Sequence, residues 1–357
     1  MNKVARMTKR DRADLFTETS ERRGLSEAVV EKDFWVCWTL KQLFAIDALR
    51  DRLLFKGGTS LSKIYHAINR FSEDIDLAVD YVALGFTGER DPRREGLSKT
   101  KRAAILADMM VSCQQYIGSE FISVLRGRCE EILGNGEGWN LAVSEQDANV
   151  VRFQYPSAAP TLDYIKPQVI LELGTHAEFV PRDRFTVRAF AAEEFPAVFT
   201  EPDVAVTSLL AKRTFWEKAT ILHAEFYRPP EKALPDRYLR HYYDLAMLAQ
   251  SPVRGEALAD LALLDQVVHH KQTFYPSGWA KYDLARAGSL RLVPPEERRA
   301  ALERDYRSMS VMIFGQPPPF GEITEVLTSL EQEINQIGAG DKPEMNVNEH
   351  SWAVQVR

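Results

Sequence analysis

Cysteine is scarce in this sequence of 357 residues, which contains Cys37, Cys113 and Cys129 and no other. The three positions are far apart, and none of them forms a CxxC pair or a zinc-ligand spacing with histidine. A disulfide framework or a structural zinc site would need one of those patterns. We therefore predict that all three cysteines are small core residues.

Long apolar runs and several common enzyme motifs are also absent. No run approaches the ~20 apolar residues of a membrane-spanning helix, and the first residues lack the apolar segment of a secretion signal. We expect a protein of the cytoplasm with no membrane partner. Walker, GxSxG and HExxH patterns do not occur, which lowers the support for P-loop, hydrolase and zinc-dependent functions.

Neither sign of charge dominates, since 45 Lys and Arg stand against 51 Asp and Glu for a net charge of -6. Nonspecific coating of nucleic acid depends on clustered cations, so this balance argues against it. A local basic face is still compatible with the sequence. Six cations lie close together in a predicted loop that leads into a helix: Arg90, Arg93, Arg94, Lys99, Lys101 and Arg102. A solvated loop is the alternative interpretation.

The hydrophobic periodicity predicts an α/β (α+β) protein of two domains. The first domain, residues 1–200, is predicted to combine helices at 25–46 and 103–133 with strands at 52–55, 71–80, 150–155, 169–173 and 185–189. The second, residues 201–337, is predicted to be helical and to complete the active site, with helices near 203–225, 237–250, 256–271, 295–314 and 321–337. Residues 338–357 lack periodicity, which predicts a flexible tail.

Two aspartates separated by one residue carry the first chemical signal. In the predicted strand at 71–80, Ile75 and Leu77 alternate with Asp74 and Asp76, so both carboxylates project from one face, ~7 Å apart. Adjacent carboxylates repel each other unless a cation offsets their charge, and Mg²⁺ prefers oxygen ligands together with a substrate phosphate. The pattern is weak by itself, because isolated DxD pairs are usually ordinary surface acids.

A glycine turn upstream makes the pair of aspartates more specific. Gly57 and Gly58 have no Cβ atoms, so the backbone can approach a triphosphate closely, and the hydroxyls of Thr59 and Ser60 can donate to its oxygens. The alternative is a structural turn before a helix that Thr59 caps. Together with the two aspartates, the turn indicates a nucleotide-binding site.

Four further candidates lie downstream. Glu172 is a lone charge in the apolar run 169–173, and we predict that it is the third metal-ligating carboxylate. An edge strand that exposes it to water is the alternative. Lys218 and Asp244 lie in amphipathic segments, with Arg240 one helical turn before Asp244. Structural ion pairs are the alternative for both, although a lysine is also the expected partner of a triphosphate in an acidic site.

One segment of the second predicted domain interleaves aromatic rings with cations. The string HHKQTFY at 269–275 is followed by Trp279, Lys281 and Tyr282. RNA-binding surfaces often combine base-stacking rings and cations in this way. Packing of the same rings in the core is equally compatible with the sequence.

The string LLFKGGTSLSKIYHAINRFSEDIDLAVD at 53–80 resembles the AbiEii/AbiGii toxin family of nucleotidyltransferases, which includes the MenT toxins of bacterial toxin-antitoxin systems. The segments EKDFWV at 31–36, RTFWEKATILHAE at 213–225 and RHYYDLAML at 240–248 resemble further motifs of that family. The resemblance spans about residues 25–285. It departs from the family pattern at His241, where relatives often carry an acid.

The resemblance implies a polymerase-beta-like mixed sheet, a helical C-terminal domain and a magnesium-dependent enzyme that uses a nucleoside triphosphate. It implies that Asp74 and Asp76 bind two metal ions, that Lys218 meets the triphosphate, and that Asp244 is needed for activity. Arg240 is expected to orient Asp244 and to help bind the nucleotide.

The resemblance also implies a biological setting. It implies a toxin that arrests growth, is held in check by an antitoxin encoded nearby, and serves phage defence. For characterised relatives it implies either GTP binding or addition of nucleotides to the tRNA 3′ end. Nucleotide transfer to a protein and a noncatalytic GTP- or RNA-binding regulator are the alternatives, and His241 favours the regulator.

Overall fold

The computed structural model describes residues 1–72, 74–136, 138–160 and 165–340. Within these ranges seven strands form one sheet: β1 (Leu53–Lys56), β2 (Asp74–Val79), β3 (Asn140–Val143), β4 (Val150–Gln154), β5 (Gln168–Gly174), β6 (Arg182–Val187) and β7 (Val204–Leu209). Their spatial order is β3-β4-β5-β2-β1-β7-β6. The β1–β7 and β2–β5 pairs are parallel and the other pairs are antiparallel. The predicted mixed sheet is confirmed.

The same part of the chain contains fourteen α-helices: α1 (Asn2–Ala5), α2 (Lys9–Arg23), α3 (Glu27–Ala45), α4 (Asp47–Arg50), α5 (Gly57–Lys63), α6 (Lys99–Tyr116), α7 (Ile122–Leu133), α8 (Phe190–Glu194), α9 (Ala211–Phe226), α10 (Leu239–Ala249), α11 (Val253–Leu258), α12 (Leu261–Phe274), α13 (Glu296–Met309) and α14 (Phe320–Ala339). A π-helical turn at Ile117–Phe121 joins α6 to α7. None of the described helices has the length and apolar character needed to cross a lipid bilayer.

One face of the sheet is covered by α3, which is buried along most of its length. Trp35 and Trp38 of α3 are fully buried, and their rings stack on Tyr155 and Phe153 at centroid distances of 5.4 and 5.5 Å. Large aromatic side chains contribute much of the apolar area that stabilises a core. The three free cysteines are also buried in this core, as the sequence predicts.

A second apolar core lies among α9, α10 and the helices that follow them. Leu61 and Ile68, which follow the glycine turn, pack into this second core rather than into the first. The division of the chain at residue 200 therefore stays a prediction, and the contacts of these two side chains tie the two cores together.

Several sequence-based boundaries differ from the structure, and two of them bear on the second predicted domain and the tail. The helix predicted at 203–225 begins at Ala211, because residues 204–209 form β7, in which Val204 and Val206 face the first core and alternate with more exposed side chains. Valine favours such a half-buried strand surface. The helix α14 extends to Ala339, inside the tail predicted for 338–357. Residues 341–357 of that tail lie outside the described residues.

Candidate active site

Three charged side chains stand in a row on the sheet face that turns away from α3. The β1–β2 register places Lys56 opposite Asp76, and the β2–β5 register places Asp76 opposite Glu172. Adjacent strands lie about 4.8 Å apart, so the row is compact. Ile75, which alternates with Asp74 and Asp76, is buried in the core beneath. The three side chains of the row and Asp74 all line one cavity of about 150 Å³.

The two glycines of the turn make room for the side chains of this cavity. Gly57 has a φ of +80°, which disfavours any other residue, and a Cβ atom there would overlap the Asp76 carboxylate. A Cβ on Gly58 would lie 2.5 Å from the Arg70 guanidinium and 2.8 Å from the Ser72 hydroxyl. The missing side chains therefore let Asp76, Arg70 and Ser72 close over the start of α5.

The hydroxyls of Thr59 and Ser60 point away from the cavity. Both residues are buried inside α5; Thr59 donates to the backbone carbonyl of Asp74, and Ser60 to a carbonyl of its own helix at 2.8 Å. Neither residue lines the cavity, whereas Ser72 does. Because α5 begins at Gly57, the alternative in which Thr59 caps the helix is wrong. The phosphate contact of the two hydroxyls stays a prediction that this arrangement does not favour.

Asp244 is enclosed by two cations that come from distant parts of the chain. Arg70 donates to both carboxylate oxygens, from Nε at 2.7 Å and from Nη2 at 2.9 Å, and Lys218 Nζ lies 2.8 Å from one of them. Such a bidentate pair fixes the guanidinium in orientation as well as in position. Arg70 and Lys218 line the cavity but Asp244 does not. The contact expected of Arg240 with Asp244 is therefore made by Arg70.

The electrostatics of this cluster follow from burial and pairing. Burial by itself raises the pKa of Asp244, but Arg70 and Lys218 outweigh it and hold that pKa below its usual value. Burial lowers the pKa of Lys218, and Asp244 offsets only part of the effect. With two cations and one anion, the cluster presents a net positive charge to the cavity.

The sheet side of the cavity carries an excess of negative charge. Removal from water and then the neighbouring Asp76 carboxylate raise the pKa of Glu172. Burial lowers the pKa of Lys56, but the carboxylates around it, first Asp76 and then Glu217, raise it above its usual value. Lys56 is therefore charged, and it offsets only part of the negative charge of the carboxylates on the sheet.

Three residues in and just before α10 complete the wall opposite the sheet. Arg237 and Arg240 line the cavity and add positive charge. His241 lines it too, and burial, followed by Lys218 and Arg240, holds the pKa of His241 well below its usual value. A histidine with such a pKa is neutral at pH 7. Where relatives often carry an acid, this chain therefore has a neutral side chain.

Several lining residues have no role in the sequence predictions, and signals exist for four of them. Lys56 directly precedes the glycine turn, and Arg70 and Ser72 begin the string that contains the two aspartates. Glu217 directly precedes Lys218, and its carboxylate accepts from Arg213 Nε at 3.1 Å. Alternation along β1 would have placed Lys56 on the face of Asp76, but no local pattern reveals that Arg70 reaches Asp244.

The motif at 31–36 has a structural role. Glu31 accepts hydrogen bonds from the Ser157 hydroxyl at 2.7 Å and from the backbone of the residues after it. Asp33 pairs with Lys63 at 2.6 Å and accepts from the backbone N–H of Phe190 at 2.6 Å. These contacts tie α3 to α5, to α8 and to the loop after β4, and so hold the glycine turn in place.

In the described residues, no group of three or more His, Cys, Asp or Glu side chains is arranged to hold a metal ion. Asp74, Asp76 and Glu172 nevertheless supply the carboxylate oxygens that Mg²⁺ prefers, and Mg²⁺ commonly binds one or two carboxylates plus substrate phosphates. Burial, and then repulsion from Asp76, disfavours the charged form of Glu172 and raises its pKa, and a bound cation would offset both effects. The donor set therefore fits a magnesium ion that arrives with a nucleotide.

A mixed sheet whose carboxylates face a basic wall beside a glycine turn defines the class of protein as a nucleotidyltransferase. The sequence model of one such family, described as "Nucleotidyl transferase AbiEii toxin, Type IV TA system", matches residues 38–329. The match covers most of the chain, so the chain belongs to this family. The resemblance drawn from the sequence motifs is confirmed.

Two solved structures are similar to the chain at low sequence identity. MenT4, a nucleotidyltransferase toxin from Mycobacterium tuberculosis H37Rv, is 14% identical with a TM-score of 0.38, and the match covers 88% of this chain and 98% of MenT4. JHP933 from Helicobacter pylori is 13% identical with a TM-score of 0.34, covering 87% and 95% respectively. No curated protein matches the sequence.

Proposed function

We propose that this toxin transfers a nucleotide from a nucleoside triphosphate to the 3′ end of tRNA and requires magnesium. One observation carries the proposal: the cavity has an acidic wall, with Asp74, Asp76 and Glu172, that faces a basic wall with Lys218 and Arg240. A magnesium–triphosphate complex needs both, because the metal binds carboxylates and the phosphates bind cations.

The basic wall binds the donor in this proposal, and the glycine turn supports it. Arg70, Lys218 and Arg240 contact the phosphates and stabilise the negative charge that develops on the leaving pyrophosphate. Gly57 and Gly58 act indirectly, because the space that their Cβ atoms would fill is taken by the Asp76 carboxylate and the Arg70 guanidinium, which the turn thereby admits to the cavity. Asp244 acts through Arg70 and Lys218 and is a positioning residue.

The acidic wall orients the attack. When bound by Asp74, Asp76 and Glu172, magnesium supplies neutralisation of phosphate charge and activation of the acceptor hydroxyl. The acceptor oxygen forms a bond to the α-phosphorus, the bond from that phosphorus to the bridging oxygen breaks, and pyrophosphate leaves. In this proposal Glu172 would ligate the metal ion nearer the attacking oxygen and so help to activate the acceptor hydroxyl, whose proton passes to solvent.

The cellular consequence follows from the toxin family and belongs to the same proposal. The enzyme modifies tRNA in the cytoplasm, and modified tRNA no longer serves translation. The cell therefore stops growing until an antitoxin encoded nearby restrains the enzyme. Arrest of an infected cell would provide phage defence. Expression of the wild-type protein is expected to arrest growth, whereas expression of Asp76→Ala is expected to leave growth unchanged. Growth arrest by Asp76→Ala would contradict this mechanism.

The biochemical test uses magnesium, total tRNA and each of the four α-labelled nucleoside triphosphates. We expect the wild type to label tRNA with at least one nucleotide and Asp76→Ala to lose the label, because Asp76 lies at the centre of the acidic row. Asp265→Ala, which removes an exposed acid of α12 that does not line the cavity, is the matched control.

Two outcomes would select the alternatives. Label on protein rather than on tRNA would assign a protein acceptor. Nucleotide binding without any transfer would assign the noncatalytic regulator, for which the neutral His241 is the one favourable observation.

A further inference from the structure

One face of α6 lines two cavities that the donor site does not use. The side chains on this face recur every three or four residues, the spacing of a single helical face. They are Lys99, Ala103 and Leu106 in an outer cavity of about 510 Å³, and Met110 and Cys113 in an inner cavity of about 270 Å³. The two cavities therefore follow one another along α6, and we call them together the α6 groove.

The opposite side of the α6 groove is formed by the end of α12 and the residues after it. Tyr275 lines the inner stretch and Pro276, the next residue, lines the outer stretch. Between the two stretches, Leu106 of α6 and Phe274 of α12 pack in one apolar cluster. Both stretches are bounded by α6 on one side and by the end of α12 or the residues after it on the other.

The inner end of the α6 groove opens onto the acidic row. Lys56, Asp76 and Glu172 line both the inner stretch and the donor cavity. From Lys99 to Cys113 the helix rises ~21 Å at 1.5 Å per residue. That length accommodates several nucleotides at ~3.4 Å per stacked residue.

The outer stretch carries positive charge. Lys99, Arg102 and Lys281 line it with a single acid, Asp283. Among the described residues, none of the three cations lies within ion-pair distance of a carboxylate. Cations without acidic partners along a groove are typical of a surface that follows a phosphate backbone.

The inner stretch carries exposed apolar side chains beside the acids. Tyr275 and Met110 are each 44% exposed, although large apolar side chains are usually buried. The Tyr275 hydroxyl donates to the His176 carbonyl at 3.0 Å, and Lys271 lies 4.7 Å from the ring centroid, so the ring is held in place. A fixed, half-open ring at the end of a basic groove is a platform for a base.

We propose that the α6 groove binds the unpaired end of an RNA acceptor. The phosphates lie against Lys99, Arg102 and Lys281, the terminal base stacks on Tyr275, and the terminal hydroxyl faces Glu172. This inference rests on the proposed nucleotide transfer and assigns its acceptor subsite. It also brings Lys99 and Arg102 of the basic segment together with Tyr275 and Lys281 of the aromatic segment, which the sequence singles out separately.

The test uses a fluorescent RNA hairpin with an unpaired 3′ end of four nucleotides, and a blunt hairpin of the same stem for comparison. Binding is measured by anisotropy over a range of salt concentrations, and the KM values for RNA and for nucleotide are measured separately. We expect the wild type to bind the hairpin with the unpaired end more tightly. Circular dichroism confirms that each variant is folded.

The charge-reversal variant Lys99→Glu/Arg102→Glu is expected to weaken RNA binding at least tenfold. The slope of log affinity against log salt is expected to fall by about 0.7 for each phosphate that the variant no longer neutralises. Arg304→Glu reverses an exposed cation of α13 that lines none of these cavities, and it is expected to keep wild-type RNA affinity. Equal effects of the two reversals would overturn the assignment.

Tyr275→Ala is expected to raise the RNA dissociation constant about 5- to 150-fold, the range that removal of one stacked base gives. Tyr275→Phe keeps the ring and is expected to restore binding to near the wild-type value. If the wild type transfers nucleotide to RNA while Tyr275→Ala and the charge reversal leave the KM for RNA unchanged, the α6 groove is not the acceptor site. If the wild type labels no RNA at all, the proposed function itself fails.

Discussion

The acidic and basic walls of the donor cavity are built in opposite ways. Asp76 and Glu172 project from neighbouring strands, and the register of the sheet brings their carboxylates together. On the other wall, Arg70 and Lys218 are held by Asp244, which is fully buried and lies 174 residues beyond Arg70 in the chain. The acids are positioned by backbone, whereas the cations are positioned by another side chain.

This difference predicts that the acidic wall contributes mainly to catalysis and that Asp244 behind the basic wall contributes to the stability of the fold. Asp76 repels Glu172 but attracts Lys56, so the two effects oppose each other and its net contribution to folding is small. A buried carboxylate between two cations is different, because its removal leaves those cations without a partner in a desolvated place. The two walls should therefore respond differently to the same kind of substitution.

The largest expected effect belongs to Asp244→Asn. Removing one partner of a buried ion pair costs about 3–5 kcal/mol, so the free energy of unfolding at pH 7 should fall by that amount. The folded-state pKa of Asp244 is lowered, so its contribution is present above the unfolded value of about 3.9 and is lost as the pH falls through the folded value. Urea unfolding from pH 7 to pH 3 should show the gap to the wild type narrow below about pH 4.

Asp76→Asn is the matched comparison from the acidic wall. It makes the same chemical change on a side chain that faces the cavity, and we expect its unfolding free energy to stay within about 1 kcal/mol of the wild type. Transfer should nevertheless be lost. Equal destabilisation by the two variants would contradict the division of roles between the walls.

The second prediction concerns Gly57→Ala, which tests backbone positioning of the acids. The added Cβ would overlap the Asp76 carboxylate and displace it, and misplacement by about 1 Å can reduce a rate about 10²-fold. Gly24→Ala is the control, because Gly24 also has a positive φ, +63°, but has open space around it. Both variants bear the backbone strain, so a rate loss in Gly57→Ala alone, by labelled-nucleotide transfer, isolates the overlap.

Local patterns of the sequence are sufficient for the acidic wall. Alternation along β2 correctly separates Ile75 in the core from Asp76 in the cavity, because side chains on a strand alternate with a period of two. Glu172 stands out for a similar reason, as a charge within an apolar strand. Both belong to regular elements whose faces can be inferred from neighbouring residues.

The basic wall depends on contacts that no local pattern encodes. Lys218 and Asp244 stand out in the sequence as separate residues, but their pairing with Arg70 requires the loop after α5 to reach α10. Thr59 and Ser60 illustrate the limits of a local pattern in another way. Hydroxyls beside a glycine turn suit a phosphate, yet these two lie inside α5, where backbone carbonyls accept their hydrogen bonds.

The smallest expected effect belongs to Glu172→Gln, measured as thermal stability without magnesium. Because the folded-state pKa of Glu172 is raised, ionisation of this side chain opposes folding, and the wild type loses stability as the pH rises through that pKa. The two proteins should therefore have similar midpoints near pH 4, and the variant should unfold about 1–3 °C higher at pH 7.

With magnesium and a nucleoside triphosphate present, the wild type should unfold at a higher temperature than Glu172→Gln if Glu172 is a metal ligand. A metal that binds the folded state stabilises it, and the wild type then gains more than Glu172→Gln. Glu231→Gln, at an exposed loop residue that lines none of these cavities, controls for the loss of one surface charge. If magnesium and the nucleotide raise the thermal midpoint at pH 7 equally in the wild type and in Glu172→Gln, Glu172 is not a metal ligand. Asp74 and Asp76 are then the carboxylates of the metal site, and Glu172 contributes only charge to the acidic wall.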